Sequence, residues 1–332
     1  MARMPKDVRP MLCTLVDEAP SGEGWLFEMK WDGERCIAFV RKGRRPGVRL
    51  QSRILRDETP RYPELVADLA RVNAKEAVID GEIVALDKRG RASFEALQRR
   101  FGLTDPGDIA RRMAETPASF AVFDLLWLDG KDLRGRPLAE RRRLLKKITG
   151  RCRRTEFSRD YDDAGALLRA VKRAGGEGIV AKRTDGPYRE GVRGREWLKI
   201  KVTDSQEFVI GGWTRGTGRR SGAFGALVIG VYERRRGKAV LVHAGSVGTG
   251  FDEDSLADML RRLRKLETPA CPFAEAPKLR ETVHWVRPRL VAQVKFANWT
   301  GSGQLRVPVF LGLRNDKKPE DCVREAPRRT RR

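Results

Sequence analysis

Residues 27–35 read Phe27-Glu28-Met29-Lys30-Trp31-Asp32-Gly33-Glu34-Arg35, and the fold turns on this stretch. Successive side chains of a strand point to opposite faces. Trp25, Phe27, Met29 and Trp31 therefore share an apolar face, and Leu26, Glu28 and Lys30 share the other. Asp32-Gly33 is a tight-turn dipeptide, and Arg35 opens an alternating run (Arg35, Ile37, Phe39 against Cys36, Ala38, Val40) that reads as the return strand of a hairpin. A lysine at a strand end would then have carboxylates beside it and a fixed cation across the turn. Such a lysine becomes a nucleophile where cations or desolvation lower its pKa. A surface hairpin with solvated charges is the competing reading.

The surrounding composition favours chemistry on a polyanion. The chain has 332 residues, room for two domains, and carries 69 Lys and Arg against 45 Asp and Glu, a formal +24. A protein this basic meets nucleic acid most often, with anionic membrane as the alternative. No apolar run approaches the roughly 18 residues that span a bilayer, and no signal-peptide layout opens the chain, so the expectation is a cytoplasmic protein. The five cysteines are scattered without a Cys-x-x-Cys pair, and only His243 and His284 supply imidazole. Disulfide frameworks, zinc clusters and histidine triads are thereby disfavoured. Neither a phosphate-binding P-loop nor a dinucleotide fingerprint is present; Gly216-Thr217-Gly218 is followed by Arg219, Arg220 and Ser221.

Periodicity divides the chain near Thr203. Residues 1–24 read as irregular. Strands are expected at 25–40, Leu50–Leu55, Ala77–Leu86 (interrupted at Asp80-Gly81-Glu82), Ser119–Leu128, Glu177–Arg183 and Trp197–Thr203. Helices are expected from Tyr62, after Ser93 as N-cap, after Pro137 with Leu138, Leu144, Leu145 and Ile148 as its stripe, and around Leu167–Val171. Beyond Thr203, short strands at 207–213, 224–233, 238–245, 282–287, 291–298 and 305–311 alternate with glycine turns, around one helix capped by Asp252. That pattern suits a small Greek-key barrel of the oligonucleotide-binding (OB) type. The expected architecture is α+β: a mixed or antiparallel-sheet domain over 1–203, an OB-fold domain over 204–317, and a basic, disordered tail over 318–332.

Lys30-Trp31-Asp32-Gly33-Glu34-Arg35 matches Lys-x-Asp-Gly-x-Arg and resembles the signature of the covalent nucleotidyltransferases, which include ATP-dependent DNA ligases, RNA ligases and capping enzymes. Ser52-Arg53, Asp80-Gly81-Glu82, Phe123-Asp124, Glu177-Gly178-Ile179-Val180-Ala181-Lys182 and Trp197-Leu198-Lys199-Ile200-Lys201 resemble further elements of that family, in its order. In the second half, Gly211-Gly212-Trp213, Val247-Gly248-Thr249-Gly250-Phe251, Leu305-Arg306-Val307-Pro308-Val309-Phe310 and Leu313-Arg314-Asn315-Asp316-Lys317 resemble the ligase module of bacterial end-joining ligase D. The resemblance covers essentially the whole chain apart from its tail and leaves open a stand-alone ligase or a module of a longer protein.

The resemblance implies an ATP-dependent DNA ligase working through lysyl-AMP, with ATP as substrate and Mg2+ or Mn2+ as metal, in break repair by non-homologous end joining. Lys30 would be the nucleophile. Glu28 would read the adenine edge, Phe123 would stack on the base, and Glu82 would contact the ribose. Arg35 and Arg53 would meet AMP or the 5′-phosphate, Lys199 and Lys201 would be aimed together at one phosphate, and Arg314, Asp316 and Lys317 would orient pyrophosphate. Glu177, with Glu82, would hold the metal. Arg35, Lys199, Lys201 and the metal would bias Lys30 towards neutrality. The residues alone support parts of this: Lys199 and Lys201 share one face of their strand, although a half-exposed edge strand with protective lysines reads the same way. Phe123 could equally be plain core, Glu82 and Glu177 solvated strand-end acids, and Asp316-Lys317 the edge of the tail. Arg141–Arg143 and Arg234–Arg236 read as solvated basic faces, and Trp299 and Thr300 as either core or a DNA-facing patch. The implied partners are duplex DNA with a nick or break, Ku and an end-joining polymerase, for a monomer away from membranes, with a hinge near Thr203–Gln206. An RNA ligase, a GTP-using capping enzyme and a silent nucleic-acid-binding scaffold are the rival readings.

Overall fold

The computed structural model describes residues 3–44, 47–86, 92–202, 205–216, 220, 222–279 and 281–325. They form two compact units, Met1–Val202 and Thr203–Glu325. In the first, the elements in chain order are β1 (Leu12–Leu15), β2 (Trp25–Met29), β3 (Glu34–Arg41), β4 (Val48–Ser52), α1 (Pro63–Leu69), β5 (Glu76–Ala85), α2 (Phe94–Gln98), α3 (Pro106–Glu115), β6 (Ala118–Leu128), β7 (Lys131–Asp132), α4 (Leu138–Thr149), β8 (Thr155–Phe157), α5 (Ala164–Arg173), β9 (Gly178–Arg183) and β10 (Arg193–Lys201). They build a four-stranded sheet in the order β1-β10-β9-β2 and a six-stranded sheet in the order β4-β3-β5-β6-β7, with β8 beside β6.

The stretch 27–35 is not a hairpin. β2 pairs with β9 in the first sheet, and β3 pairs with β4 and β5 in the second, so Lys30–Gly33 carries the chain from one sheet to the other. Gly33 permits the crossing through close approach rather than through a left-handed turn. A Cβ there would lie 2.1 Å from the Ile83 carbonyl oxygen on β5. β1 was not expected at all; it pairs in parallel with β10, and Val16 N bonds to Lys199 O at 3.1 Å.

Three apolar layers hold the unit together. Phe27, Ile179, Ala181, Leu198 and Ile200 pack one face of the first sheet against Leu167 and Val171 of α5. Ile79, Val122 and Leu125 of the second sheet pack with Leu65, Leu97 and Leu145 of the helices. Between the sheets lie Met11, Ile37, Phe39, Val78, Phe123, Trp127, Tyr188 and Trp197. Each strand therefore has a helix-side face and an inter-sheet face, as expected from period-2 alternation. β5 runs unbroken through Asp80-Gly81-Glu82, with irregular register against β6 absorbing the glycine. Trp31 lies past the end of β2 and leaves the apolar face; its indole Nε1 donates to Ser158 Oγ at 3.0 Å.

The second unit contains β11 (Ser205–Arg215), β12 (Phe224–Arg235), β13 (Lys238–Val247), α6 (Glu253–Arg264), β14 (Val283–Trp285), β15 (Val291–Lys295) and β16 (Val309–Arg314). The sheet order is β13-β12-β11-β15-β16, with β14 on β11. Bonds from Leu305 N to Ala244 O (2.9 Å) and Phe310 N to Thr249 O (2.9 Å) curl the sheet onto itself, giving the OB-type barrel. Phe208, Phe224, Ile229, Val294 and Phe310 fill it together with Leu260 and Leu263 of α6, which starts at a capping box formed by Asp252 and Ser255.

The expected disordered tail does not begin at Lys318. Cys322 is fully buried, its carbonyl accepts from Tyr232 N at 2.7 Å, and Gln206 bonds to both Val323 O and Glu325 N. A buried thiol and a paired backbone outweigh the polar composition of that segment. Residues 326–332, and Thr203 and Asp204 of the expected hinge, lie outside the described residues. Among the described residues no helix is long and apolar enough to cross a membrane.

Candidate active site

The register of the four-stranded sheet aligns the candidate residues. Glu28 lies opposite Val180, which lies opposite Lys199; Gly178 lies opposite Lys201, and the Lys30 amide bonds to Gly178 O at 2.9 Å. Strand parity then sets Glu28, Lys30, Lys182, Lys199 and Lys201 on the face turned to the second sheet. From that sheet Arg35 and Glu82, paired in register, approach the same space.

Lys30 Nζ is ion-paired with Glu177 Oε2, both largely buried. Burial alone would lower the lysine pKa; Glu177, then Asp32 and Glu82, more than reverse this and raise it. Among the side chains present, the acids thus favour the charged amine, and Lys199 and Lys201 act on Glu177. Burial pushes that carboxyl up, but Lys30, Lys201 and Lys199 hold it below the usual range. The result is a lysine stored as ammonium against a carboxylate stored as anion.

Arg35 lies between the sheets in a fixed pose. Its Nε and Nη2 donate to Asp80 Oδ1 and Oδ2 at 2.6 and 2.7 Å, and Tyr188 Oη donates to Asp80 Oδ2 at 2.7 Å. Burial opposes the charge, and Asp80 dominates, raising the guanidinium pKa. The guanidinium carbon sits 4.7 Å from the Phe123 ring centroid, and Lys182 Nζ sits 4.0 Å from it. Phe123 is 6% exposed and packs in the inter-sheet core with both cations against its ring.

Glu28 is 2% exposed and is clamped by two cations: Lys182 Nζ at 2.8 Å, and Arg142 Nη1. Arg142 also donates to Ser158 O at 2.7 Å. Neighbouring Arg141 is fully buried and pairs with Asp124 through bonds of 2.7 and 2.8 Å. Reading Arg141–Arg143 as a solvated face was thus wrong for two of the three; Arg143 alone is exposed. The signal was present, because Leu138, Arg141, Arg142, Leu145 and Ile148 follow the apolar spacing of α4. Arg234–Arg236 are exposed, as expected.

The remaining candidates are more dispersed. Arg53 is half-buried and has no ion pair among the described residues. In the second unit, Arg314 is bidentate to buried Asp316 at 2.8 and 2.7 Å, and Lys317 Nζ bonds to Glu207 Oε2 at 2.7 Å, so both belong to packed structure rather than to a tail. Trp299 packs on Phe208 and Phe296 at the edge of the barrel core, with Arg324 over its ring, while Thr300 closes a turn through Gln304 N.

This arrangement, a buried lysine backed by a carboxylate and faced by further cations, suits covalent capture of a phosphoryl group. A family model described as "ATP dependent DNA ligase domain" matches residues 10–201, and one described as "ATP dependent DNA ligase C terminal region" matches residues 220–317. The chain is 37% identical over 324 residues to the multifunctional non-homologous end joining protein LigD of Mycolicibacterium smegmatis, covering 97% of this chain and 40% of that protein. It is 38% identical over 332 residues to the LigD of Pseudomonas aeruginosa, covering 98% of this chain and 37% of that one. The chain thus spans about two fifths of the length of these curated relatives. A solved structure of mycobacterial DNA ligase D complexed with ATP and MES is 36% identical and superposes with a TM-score of 0.68, covering 96% of this chain and 98% of that one. With both units matched and the lysine motif in the first, the chain belongs to the ATP-dependent DNA ligase family.

Proposed function

We propose that this ligase works through Lys30. The amine loses its proton and attacks the α-phosphorus of ATP; an N–P bond forms, the bond to the β-phosphate oxygen breaks, and pyrophosphate leaves. AMP then passes to the 5′-phosphate of a DNA nick or break, and the 3′-hydroxyl displaces it to close the backbone. The observation that carries this reading is the Lys30–Glu177 pair, on a sheet face shared with Lys199 and Lys201. Cations on that face favour charge building on phosphoryl oxygens.

The other proposed roles follow the family resemblance. Glu28, held by Arg142 and Lys182, is the residue proposed to read the adenine edge. Arg35, whose Nε and Nη2 donate to Asp80 and Met11 O, is held between the sheets with Nη1 left to donate to AMP or the 5′-phosphate. Arg53 serves the 5′-phosphate, Glu82 the ribose, and Arg314 and Lys317 the pyrophosphate. Among the described residues there is no group of three acids, histidines or cysteines that could hold a metal alone. Glu177 and Glu82 nevertheless fit a hard cation that takes its remaining oxygens from the triphosphate and water, as Mg2+ and Mn2+ do. Bound there, the ion would neutralise phosphate charge. We place the sealing in end joining of broken duplex DNA, with Ku and a polymerase as partners, because relatives that match nearly the whole chain are named as non-homologous end joining proteins.

The test is incubation with α-labelled ATP and Mg2+ followed by a denaturing gel. A labelled protein band, discharged by pyrophosphate and by nicked DNA and lost in Lys30→Ala, is expected. Label surviving in Lys30→Ala would reassign the nucleophile, and label from GTP alone would overturn the choice of nucleotide.

A further inference from the structure

The Glu28 carboxylate is held from two directions. Its backbone is fixed in β2, in register with Val180 of β9. Lys182 Nζ, from β9, donates to Oε2 at 2.8 Å, and Arg142 Nη1, from α4, donates to Oε1. All three side chains are buried. The neighbouring Arg141 shows what a buried arginine of this helix does in a plain structural role: it takes both oxygens of Asp124 itself, one base to one acid. One cation compensates a buried carboxylate. A second, from a separate element, adds constraint, because each oxygen then has its own fixed partner.

Arg142 also ties this acid to the rest of the site. Its Nη1 donates to Phe123 O at 3.3 Å, and its Nη2 donates to Ser158 O at 2.7 Å and to Asp160 Oδ1 at 3.4 Å. The guanidinium carbon lies 4.5 Å from the Phe157 ring centroid. Ser158 Oγ in turn accepts from Trp31 Nε1, next in sequence to Lys30. One planar fork thus spans β2, β6 and the segment after β8, and partners on each of them set its orientation. Lys182 brings a point charge on a flexible stem. Arg142 is the rigid member of the clamp.

Rigidity matters here because of what a carboxylate can read. An ionised carboxyl only accepts hydrogen bonds. Adenine offers it an exocyclic amino group. Guanine carries a carbonyl oxygen at that place, yet offers a ring N–H and an amino group further along the same edge. A carboxylate free to swing would accept from either purine, so the residue type of Glu28 does not choose between them. Its fixed place does, since guanine would there set one acceptor against another. We propose that Arg142 is a positioning residue that sets the base specificity of nucleotide uptake, by pinning the Glu28 carboxylate where the adenine amino group reaches it and the donors of guanine do not. The inference rests on the reading of Glu28 as the contact to the adenine edge and deepens it: the specificity determinant lies on α4, outside the motifs that identify the family.

The experiment is covalent uptake by the full chain from α-labelled ATP and α-labelled GTP. The ratio of the two kcat/KM values is taken on one preparation, so that any unfolded fraction cancels. Wild type is compared with Arg142→Gln, Arg142→Lys, Glu28→Ala and Arg141→Met. Arg142→Gln and Glu28→Ala should each lower the ATP-to-GTP ratio about tenfold or more, the worth of one hydrogen bond to a charged group. The loss should fall chiefly on KM for ATP, because the base is held before the chemistry begins. Arg142→Lys keeps the charge without the fork; it should lower the ratio too, and it stands in if Arg142→Gln does not fold. Arg141→Met should melt lower and keep the wild-type ratio. Purine riboside triphosphate, which is ATP without its amino group, replaces GTP where uptake from GTP is too slow to measure, with the same expectations. A wild-type ratio in both Arg142 variants beside a lowered one in Glu28→Ala overturns the role of Arg142 and leaves that of Glu28 standing. An equal fall in Arg141→Met also overturns it, by tracing the change to a loosened α4. A wild-type ratio in Glu28→Ala strikes the adenine reading, and the proposal with it, whereas no uptake by the wild type strikes the ligase reading itself.

Discussion

Lys30, the proposed nucleophile, is paired with Glu177 as an ammonium, so the proposed attack on phosphorus requires that its proton leave before bond formation. Burial favours that loss, but Glu177, Asp32 and Glu82 together outweigh burial and raise the pKa. The neutral fraction is then small at neutral pH and grows tenfold per pH unit until the folded pKa is reached. Single-turnover AMP uptake should accordingly rise about tenfold per unit between about pH 7 and pH 9; a flat profile would mean that the proton is not lost in the measured step. Arg141 shows the same electrostatics in a structural role. Its pairing with Asp124 is fully buried, and removing one partner of such a pair costs far more than the pair contributes net. Arg141→Met should lose about 3 kcal/mol and about 10 °C in Tm, with Arg143→Met unchanged. Melting of Arg141→Met at the wild-type temperature would remove the ion pair from the account. The sequence made Lys30, Glu177, Lys199 and Lys201 legible through their motifs. The clamps on Glu28 and Arg35 were not legible, because Arg142, Asp80 and Tyr188 lie far from them along the chain.

Among the elements, the link between β2 and β3 decides where the chemistry sits. Asp32-Gly33 has the composition of a hairpin turn, and turn chemistry is indifferent to whether the flanking strands pair with each other. Here they pair with β9 and β5 instead, and Gly33 serves the crossing by lying against Ile83 O. Lys30 is thereby set at the opening between two sheets rather than on a surface loop. β1 escaped notice because four residues carry too little periodicity, and its pairing with β10 is parallel and remote. The C-terminal segment was misjudged for a related reason: its composition is polar, yet one buried cysteine and the bonds to Tyr232 and Gln206 tether it. Ending the chain after Glu325 should leave the melting of the second unit unchanged, whereas ending it after Lys317 should cost about 2 kcal/mol. Thermal unfolding of the two truncated chains checks this, and equal melting would show that the tether carries no stability.

For the whole molecule, the charge of +24 makes duplex affinity chiefly a matter of displaced counterions. Binding of a nicked duplex should fall about a thousandfold between about 50 and 200 mM monovalent salt and change little when the base sequence is exchanged, as anisotropy titrations would show. Weak salt dependence would point to a much smaller phosphate footprint. The sequence alone determined the class of chemistry, the order of the motifs, the division near Thr203 and the faces of most strands. These depend on residue type and on the local periods of strand and helix, which the chain carries within a few residues. Only the tertiary structure decided that the lysine stretch joins two sheets, that Lys30 rests as a paired ammonium, that Phe123 is enclosed by cations, and that two arginines of α4 are buried. Each of these depends on which face meets which across long sequence separations, and on the electrostatic balance that results once those groups leave water.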